Sequence, residues 1–261
     1  MARALPTPRW IAWTVASALV LVAALYAFHR LEQFLIRDVR FTLNEPTPGS
    51  ESLEIAGSTH ASAKAIQAVF AEDFGRSVYL IPISDRRDSL RNVDWIKDAS
   101  VARFWPNRIV VGVSERKPVA FVTLESGRPA LIDEEGVILP PAQDHFTLPV
   151  LLGVNASDPV PTRRERVQRL LSLMKDLGTA ARSISEVDVS DPDNLKISEP
   201  MDGHSITLLM GDRNFAQRHQ NFVGYFAEIR KKDPNASVLD MRLEDRITVV
   251  KEREDQKKVV K

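Results

Sequence analysis

The feature that most constrains this chain is an uncharged apolar stretch of nineteen residues near its amino terminus, residues 10–28. A helix rises about 1.5 Å per residue, so this stretch would extend about 28 Å, close to the thickness of the hydrocarbon core of a bilayer. Arg9 and Arg30 flank it. Aromatic side chains that favour the headgroup region lie towards its ends: Trp10, Trp13 and Tyr26. The pattern predicts a membrane-spanning helix over residues 10–28.

Basic residues before the span indicate its orientation. Arg3, Arg9 and the terminal amine precede it, and a short basic amino terminus favours the cytoplasmic side. This places residues 1–9 in the cytoplasm and most of the chain beyond the membrane. A cleaved signal peptide is the alternative, because Ala16-Ser17-Ala18 resembles a cleavage site. Cleavage in the middle of the span would leave an apolar new terminus, so an uncleaved anchor is the favoured interpretation.

The charges of the chain balance, with 35 basic and 35 acidic side chains and a formal net charge of zero. A neutral molecule has no general electrostatic attraction to nucleic acids, so a nucleic-acid-binding function is disfavoured. The chain lacks cysteine, which excludes disulfides, thiolate metal ligands and cysteine nucleophiles. Its 261 residues allow one large domain or two small ones after the anchor.

A small module is predicted after the anchor. Residues 29–52 are expected to form a stalk and linker, because the segment 44–52 is polar and contains two prolines and a glycine. The next segments predict a strand over 53–55, a helix over 61–71 capped by Ser58, Thr59 or Ser62, a short helix over 84–92, and strands over 99–104 and 108–114.

A larger module follows, in which short apolar runs alternate with two amphipathic helices. The first three runs predict an antiparallel meander over residues 119–124, 129–132 and 137–139. The helices are predicted over 162–177 and 214–231. Further strands are predicted over 184–189, 195–198, 205–210, 238–243 and 246–250. Residues 251–261 are highly charged and are expected to be disordered.

The sequence contains no recognisable catalytic or metal site. Its five histidines are scattered, without an i, i+4 pair or an HExxH frame, and no serine lies in a GxSxG elbow. His219, near Phe222 on the last long helix, is interpreted as a half-buried structural residue. The run Asp133-Glu134-Glu135 before a glycine is interpreted as a solvated turn. Ordinary solvated surface is predicted for the arginines of the preceding long helix: Arg163, Arg164, Arg166 and Arg169.

The last apolar run, residues 246–250, is the candidate interaction surface. An edge strand presents unpaired N–H and C=O groups, and such an edge can bind an added strand of another protein. Ile247 and Val249 alternate with more polar residues, so backbone pairing and a small apolar face could act together. The alternative is an ordinary closing strand paired only within its own sheet, and the pattern alone favours that alternative.

Several motifs together resemble the bacterial cell-division family FtsQ/DivIB. The longest begins at Trp95-Ile96 and continues through Ala99, Val101, Arg103 and Trp105-Pro106 to Glu115 and Pro118-Val119-Ala120. Ile55-Ala56-Gly57-Ser58 resembles the family's entry to the first helix, and Leu131-Ile132-Asp133 with Gly136-Val137 resembles its "LID…G" hairpin. Gly211, Arg218, Phe222 and Asp240-Met241-Arg242 match later positions. The resemblance covers roughly residues 10–250.

The resemblance implies an α+β chain with no enzymatic activity. It would comprise a transmembrane helix, a small POTRA domain of order β-α-α-β-β over residues 53–117, and a larger mixed β domain with two amphipathic helices over residues 118–250. Such proteins are scaffolds that link early and late division proteins at the septum, in the cytoplasmic (inner) membrane. The resemblance implies no cofactor, metal, nucleic acid or small-molecule substrate.

The implied partners are other proteins of the division machinery. The POTRA domain would contribute to recruitment, and the last strands of the β domain would pair with a strand of FtsB, which is bound to FtsL. The partner-contact positions carried over from the family are Arg242, Leu243, Asp245, Ile247 and Val249. Residues 243–246 depart from the family, which often has an aromatic and small residues there, so a more electrostatic contact is expected.

Two other classes of function compete with this interpretation. A POTRA-bearing polypeptide-transport or outer-membrane assembly factor would be expected to carry tandem POTRA units or a following membrane barrel, and the sequence pattern predicts neither. A membrane-tethered hydrolase would need a nucleophile or metal set that the sequence does not display.

Overall fold

The chain begins with a long apolar helix in the computed structural model, which describes residues 9–47, 52–243 and 246–250. This helix, α1 (Arg9–Arg37), contains the predicted span and is apolar enough to cross a membrane. It continues nine residues past the span, because the sequence after Phe28 contains no glycine or proline before Arg37. A 3₁₀ turn over Val39–Phe41 follows, and the Asp38 carboxylate accepts a hydrogen bond from the Arg40 N–H.

The first of two compact units extends to Glu115. Its elements are β1 (Leu53–Ala56), α2 (Ala63–Val69), α3 (Ile83–Leu90), β2 (Ile96–Phe104) and β3 (Arg108–Glu115). The sheet order is β1-β3-β2, with β1 parallel and β2 antiparallel to β3. The predicted strand, helix, helix, strand, strand order is therefore confirmed. Of the three predicted capping residues, Ser62 caps α2.

The residues after α1 pack into the first unit. Leu43 is fully buried, and its N–H donates to the carbonyl of Arg76 at 2.9 Å. The Ser77 hydroxyl donates to the carbonyl of Leu35, within the last turns of α1, at 2.7 Å. Thr42 also forms a β-bridge with Ser77. These contacts attach the end of the helix directly to the unit.

Glu115, at the end of β3, joins the last strand of the first unit to the segment just before α2. Its Oε1 accepts the N–H groups of Thr59, His60 and Ala61 at 2.7 to 2.8 Å, and its Oε2 lies 2.7 Å from His60 Nδ1. The His60 ring stacks on Trp95 at 4.5 Å. Burial opposes ionisation of Glu115, but the hydrogen bonds from Ala61, His60 and Thr59 outweigh it and lower the pKa of this carboxyl.

The second unit, from Arg116 onward, contains a mixed sheet of nine strands and two long helices. Its elements are β4 (Pro118–Thr123), β5 (Pro129–Asp133), β6 (Ile138–Leu139), β7 (Val150–Leu152), α4 (Val160–Leu177), β8 (Glu186–Asp188), β9 (Leu195–Met201), β10 (His204–Gly211), α5 (Phe215–Lys232), β11 (Val238–Asp240) and β12 (Thr248–Val249). The sheet order is β12-β11-β10-β9-β8-β7-β4-β5-β6.

The strand pairing of this sheet agrees with the predicted meander of β4, β5 and β6, which is antiparallel. β7, a three-residue strand that pairs in parallel with both β4 and β8, is not predicted by the sequence pattern. At one edge of the sheet, β6 is only two residues long and is followed by Pro140 and Pro141. Proline has no N–H to donate, so this edge cannot extend the ladder there.

Both long helices bury an apolar stripe in the core of the second unit. The buried stripe of α4 comprises Val167, Leu170, Leu173 and Leu177, as expected of an amphipathic helix, whereas Leu171 and Met174 are only half-buried. In α5 the buried aromatic residues are Phe215, Phe222 and Phe226, as its spacing predicts.

The prediction of a solvated turn over residues 133–135 is wrong for Asp133, whereas the arginines of α4 are exposed or half-exposed, as predicted, but are also tied to neighbouring groups. Asp133 is buried, because it accepts the N–H groups of Glu135 and Val137 and pairs with Arg116 Nη1 at 2.6 Å. The arginines of α4 hold neighbouring loops and carboxylates. Arg163 donates to the Ala156 carbonyl, Arg164 to the Glu135 carbonyl, Arg166 to Asp158 and Arg169 to Glu165.

His219 is a structural residue, and it is more buried than the sequence predicts. Its Nε2 lies 3.1 Å from Glu199 Oε1, and its ring makes an edge contact with Phe222. The Ser183 Oγ lies 2.8 Å from Glu199 Oε2. Burial opposes ionisation of Glu199, but the bonds from His219 and Ser183 outweigh it and lower the pKa of this carboxyl. The cluster joins β9, α5 and the 3₁₀ turn Gly178–Ser183.

We predict that Glu115→Gln destabilises the first unit by about 2 kcal/mol at neutral pH, because hydrogen bonds to a charged acceptor contribute about 1.5–3 kcal/mol. The folded pKa of Glu115 lies below its ordinary value of 4.5, so this contribution is present above that value and is lost as the pH falls through the folded pKa. Urea unfolding of the full chain in detergent, measured at several pH values, should show the difference from wild type shrinking on acidification. Glu54→Gln is the matched control, because its pair with Arg108 is exposed and contributes about 0–1 kcal/mol.

We also predict that His219→Leu destabilises the second unit by about 3–5 kcal/mol, because it leaves the Glu199 carboxylate buried without its main partner. The double variant His219→Leu/Glu199→Leu should recover much of this loss, since no buried carboxylate is then left without its partner. Thermal unfolding of the single and double variants measures the coupling. Losses that simply add would show that the two side chains contribute independently.

Candidate functional site

The predicted contact residues that the structure describes lie at or near β11 and β12, the last two strands in sequence. After β10, the helix α5 returns the chain so that β11 pairs in parallel with β10, with Leu208 opposite Leu239. β12 then pairs antiparallel with β11, with Leu239 opposite Val249. This order places β12 at the edge of the nine-stranded sheet, opposite to the edge formed by β6.

The outward edge of β12 carries backbone groups that can pair with another strand. The Val250 N–H donates to the Val238 carbonyl at 2.9 Å, so residues 238 and 250 form a bonded pair. Bonded and non-bonded pairs alternate in an antiparallel ladder, so the N–H and C=O of Val249 point away from β11. Within the described part of the chain, no strand pairs with that side of β12.

A groove of about 510 Å³ lies between α5 and the last strands. Its apolar lining includes Ile229 of α5 and Met241, Ile247 and Val249 near the strands. Charged side chains of both signs also line it: Arg218, Glu228, Lys232, Asp233 and Arg246. A partner segment with an apolar face and charged flanks would fit these surroundings.

Arg242 is fixed by the residue two positions before it. Its side chain donates to both oxygens of Asp240 at 2.6 to 3.1 Å, and its N–H donates to Asp240 Oδ1 at 3.0 Å. The hydrogen bond from Arg242 lowers the pKa of Asp240, although partial burial opposes this effect. The guanidinium therefore has a defined position at the end of β11 while about half of it remains exposed.

Arg218, on α5, fixes the backbone of this segment. It is buried, and it donates to the carbonyls of Met210 and, at 2.9 Å, Arg242. Gly211 makes room for it, because a Cβ at this position would come within 2.5 Å of Arg218 Nη1, and its φ of +68° favours glycine. One side chain thus joins the end of β10, α5 and the segment after β11.

The structure brings most of the predicted contact residues together. Leu243, Ile247 and Val249 line the groove, and Leu243 is 52% exposed. Arg242 lies at the end of β11, and Asp245 lies outside the described residues, as does the charged tail 251–261. The sequence analysis did not identify the groove residues Tyr225 and Glu228 of α5.

One sequence signal for Arg218 was available. It lies one turn before Phe222 on the apolar stripe of α5, and a charged residue in such a stripe needs buried partners. Tyr225 and Glu228 have no comparable signal, because exposed helix positions commonly carry such residues.

The described residues do not assemble a cluster of metal ligands. They contain no group of three or more His, Asp or Glu side chains that could hold a metal ion. The nearest approach to a catalytic triad is the cluster of Ser183, Glu199 and His219. There the carboxylate contacts both of the other residues, so the cluster gives the serine no histidine base.

Comparison with known proteins identifies both units. Residues 50–116 match the family model of the FtsQ-type POTRA domain, and residues 120–242 match the model of the FtsQ/DivIB cell division protein C-terminal domain. The second match ends at Arg242, so β12 lies beyond it.

Several relatives named cell division protein FtsQ are similar to this chain. The protein of Koribacter versatilis is 34% identical over 206 residues, which are 76% of this chain and 59% of that protein. The protein of Rhodothermus marinus is 26% identical over 77% of each chain, and that of Zymomonas mobilis is 33% identical over 40% of this chain and 34% of its own length. The two family matches follow the order of the two folded units. Together with these relatives, they establish that the chain belongs to the FtsQ/DivIB family of cell division proteins.

Proposed function

We propose that this protein is a non-enzymatic scaffold of the division machinery. In this proposal α1 anchors it in the cytoplasmic membrane, residues 1–9 lie in the cytoplasm, and both folded units lie outside. The POTRA domain, residues 53–117, recruits other division proteins. The β domain, residues 118–250, binds a strand of FtsB, which is itself bound to FtsL, and so links early and late division proteins at the septum.

The open edge of β12 is the observation that carries the proposed strand addition. The outward N–H and C=O of Val249 offer backbone pairing, and the adjacent groove offers an apolar surface for alternate side chains of the added strand. Backbone pairing supplies affinity in such complexes, and the side-chain pockets supply specificity. The two features lie side by side here, as an added strand requires.

The fixed position of Arg242 further supports this site. Arg218 and Asp240 hold its backbone and side chain before any partner binds. A preorganised surface loses less conformational entropy on binding than a flexible one. Arg246 and Lys232 add positive charge beside the groove and Glu228 adds negative charge, which supports the expected electrostatic contact.

The length and position of α1 support the anchor. It is apolar enough to cross a bilayer, and the side chains of residues 10–28 are exposed. The alternative, a polypeptide-transport or outer-membrane assembly factor, gains no support, because both matched families are FtsQ types.

We predict that Val249→Pro weakens capture of the FtsB/FtsL pair by at least about tenfold. Proline removes the outward N–H and its ring obstructs an added strand, and loss of about 1.4 kcal/mol or more corresponds to that factor. The inward pairing of β12 should survive, because the Val250 N–H still reaches Val238. Binding is measured with the full chain in detergent and the purified partner pair.

Val249→Ala is the matched control for this variant, because it shortens the side chain and keeps the N–H. It should bind within a few-fold of wild type. Deletion of residues 238–261 should abolish capture and leave membrane insertion intact. Undiminished capture by Val249→Pro would contradict strand addition at this edge.

We predict that a fluorescent fusion of the full chain accumulates at midcell in dividing cells. A scaffold tethered to the membrane gains effective concentration for other tethered division proteins, and this favours assembly at one site. Fluorescence microscopy measures the ratio of midcell to lateral signal. A uniform envelope signal would argue against the division function.

A further inference from the structure

An exposed aromatic patch lies where α1 enters the first unit. We define it by five residues: Phe34, Val39, Phe41, Phe104 and Trp105. Val39 is 80% exposed, Trp105 54%, Phe104 47% and Phe34 45%. Large apolar side chains rarely cluster on a surface that only water contacts, so this patch calls for an explanation.

The patch is continuous across three parts of the chain. Phe41, in the 3₁₀ turn after α1, makes edge contacts with Phe34 and with Trp105, both at 5.6 Å between ring centroids. Trp105 lies in the turn of the β2–β3 hairpin, next to Phe104. The hairpin turn and the last turns of α1 therefore meet at the same end of the first unit.

Two arginines lie over rings of the patch. Arg40 lies 5.5 Å above the Phe34 ring and Arg108 lies 5.3 Å above the Phe104 ring. Both already have acidic neighbours, since Arg40 pairs with Asp38 and Arg108 lies 3.5 Å from Glu54. The patch thus combines exposed apolar rings with nearly balanced charge.

The helix itself limits how far this patch lies from a bilayer. Phe34 is six residues past the end of the apolar span, which is about 9 Å along the helix axis. Headgroup regions add roughly 5–8 Å on each side of the hydrocarbon core. Helical side chains lean towards the amino terminus, which here is the direction of the membrane, so the Phe34 ring reaches the headgroup region.

We propose that the aromatic patch inserts into the phospholipid headgroup region of the leaflet from which α1 emerges. Aromatic rings favour this region. An apolar surface that inserts there is removed from water, although it does not cross the membrane. The contact of Leu35 with Ser77 keeps the first unit attached to α1, so the insertion would hold that unit against the lipid surface. This inference rests on the proposed anchoring by α1.

Because Arg40 and Arg108 already have acidic neighbours, insertion of the patch should not require anionic lipids. The insertion is driven mainly by the rings, so it occurs on neutral phosphatidylcholine as well as on membranes that contain phosphatidylglycerol. The alternative occupant is the juxtamembrane segment of another protein, and vesicles that contain only this chain exclude it.

The absence of cysteine from the chain makes a site-specific probe straightforward. The full chain carrying Val39→Cys is labelled with a nitroxide and reconstituted into phosphatidylcholine vesicles. The matched control is Asp94→Cys, which lies at an exposed position just before the other end of β2. β2 has nine residues, so its first end, next to Asp94, lies about 30 Å from its second end at Phe104, which belongs to the patch.

Collisions of each label with oxygen, which enters lipid, and with a water-soluble nickel chelate distinguish the two environments. We expect the ratio of oxygen to nickel collisions to be several-fold higher at position 39 than at position 94. Adding Phe104→Glu to the first labelled chain should lower that ratio several-fold. Ser100→Glu, an exposed position on the same strand, should leave it unchanged.

Equal ratios at positions 39 and 94 in protein that floats with the vesicles would overturn the insertion while leaving the anchor intact. Protein that fails to float would instead contradict the anchoring, and with it this inference. A high ratio at position 39 that Phe104→Glu leaves unchanged would also contradict insertion of the patch as a unit.

Discussion

The attachment of the first unit depends on one uninterrupted helical backbone, α1 (Arg9–Arg37). A helix satisfies its N–H and C=O groups internally, and kinks arise mainly at proline or glycine, which α1 lacks, so its backbone has no reason to bend after the apolar span. The same hydrogen-bonded helix enters the first unit, where the Ser77 hydroxyl donates to Leu35 of the helix. Leu43, six residues after the end of the helix, donates its N–H to the Arg76 carbonyl of the same unit. Glu115 then holds that unit's last strand to the segment before its first helix.

The candidate site depends instead on the strand order, which leaves β12 at the edge of the nine-stranded sheet. Because α5 crosses over to make β11 parallel to β10, the last strand has to lie outside β11. A buried arginine, Arg218, holds the carbonyl of Arg242, just after β11. Recognition by such a surface uses backbone groups that every sequence possesses, and the side chains around it only select the partner.

Periodicity predicted the elements whose environment is regular along the chain. The span of α1 and the apolar stripes of α4 and α5 follow from spacing alone. Local pattern does not predict partners that are distant in sequence. β7 is a strand because β4 and β8 flank it, and Asp133 is buried because Arg116 reaches it from seventeen residues away. The last strands were predicted from their apolar runs and the contact positions from the family resemblance, and only the structure showed the groove and the Arg218 contacts beside them.

The two edges of the nine-stranded sheet differ in a way that affects assembly. β6 is short and is followed by two prolines, whereas β12 presents the outward backbone of Val249. If β12 takes up an added strand, the sheet then has one pairing edge and one closed edge. Such a sheet can bind only one added strand. It can complete a partner without offering a second edge on which further copies could stack, so pairing ends with the complex and does not propagate into a fibre.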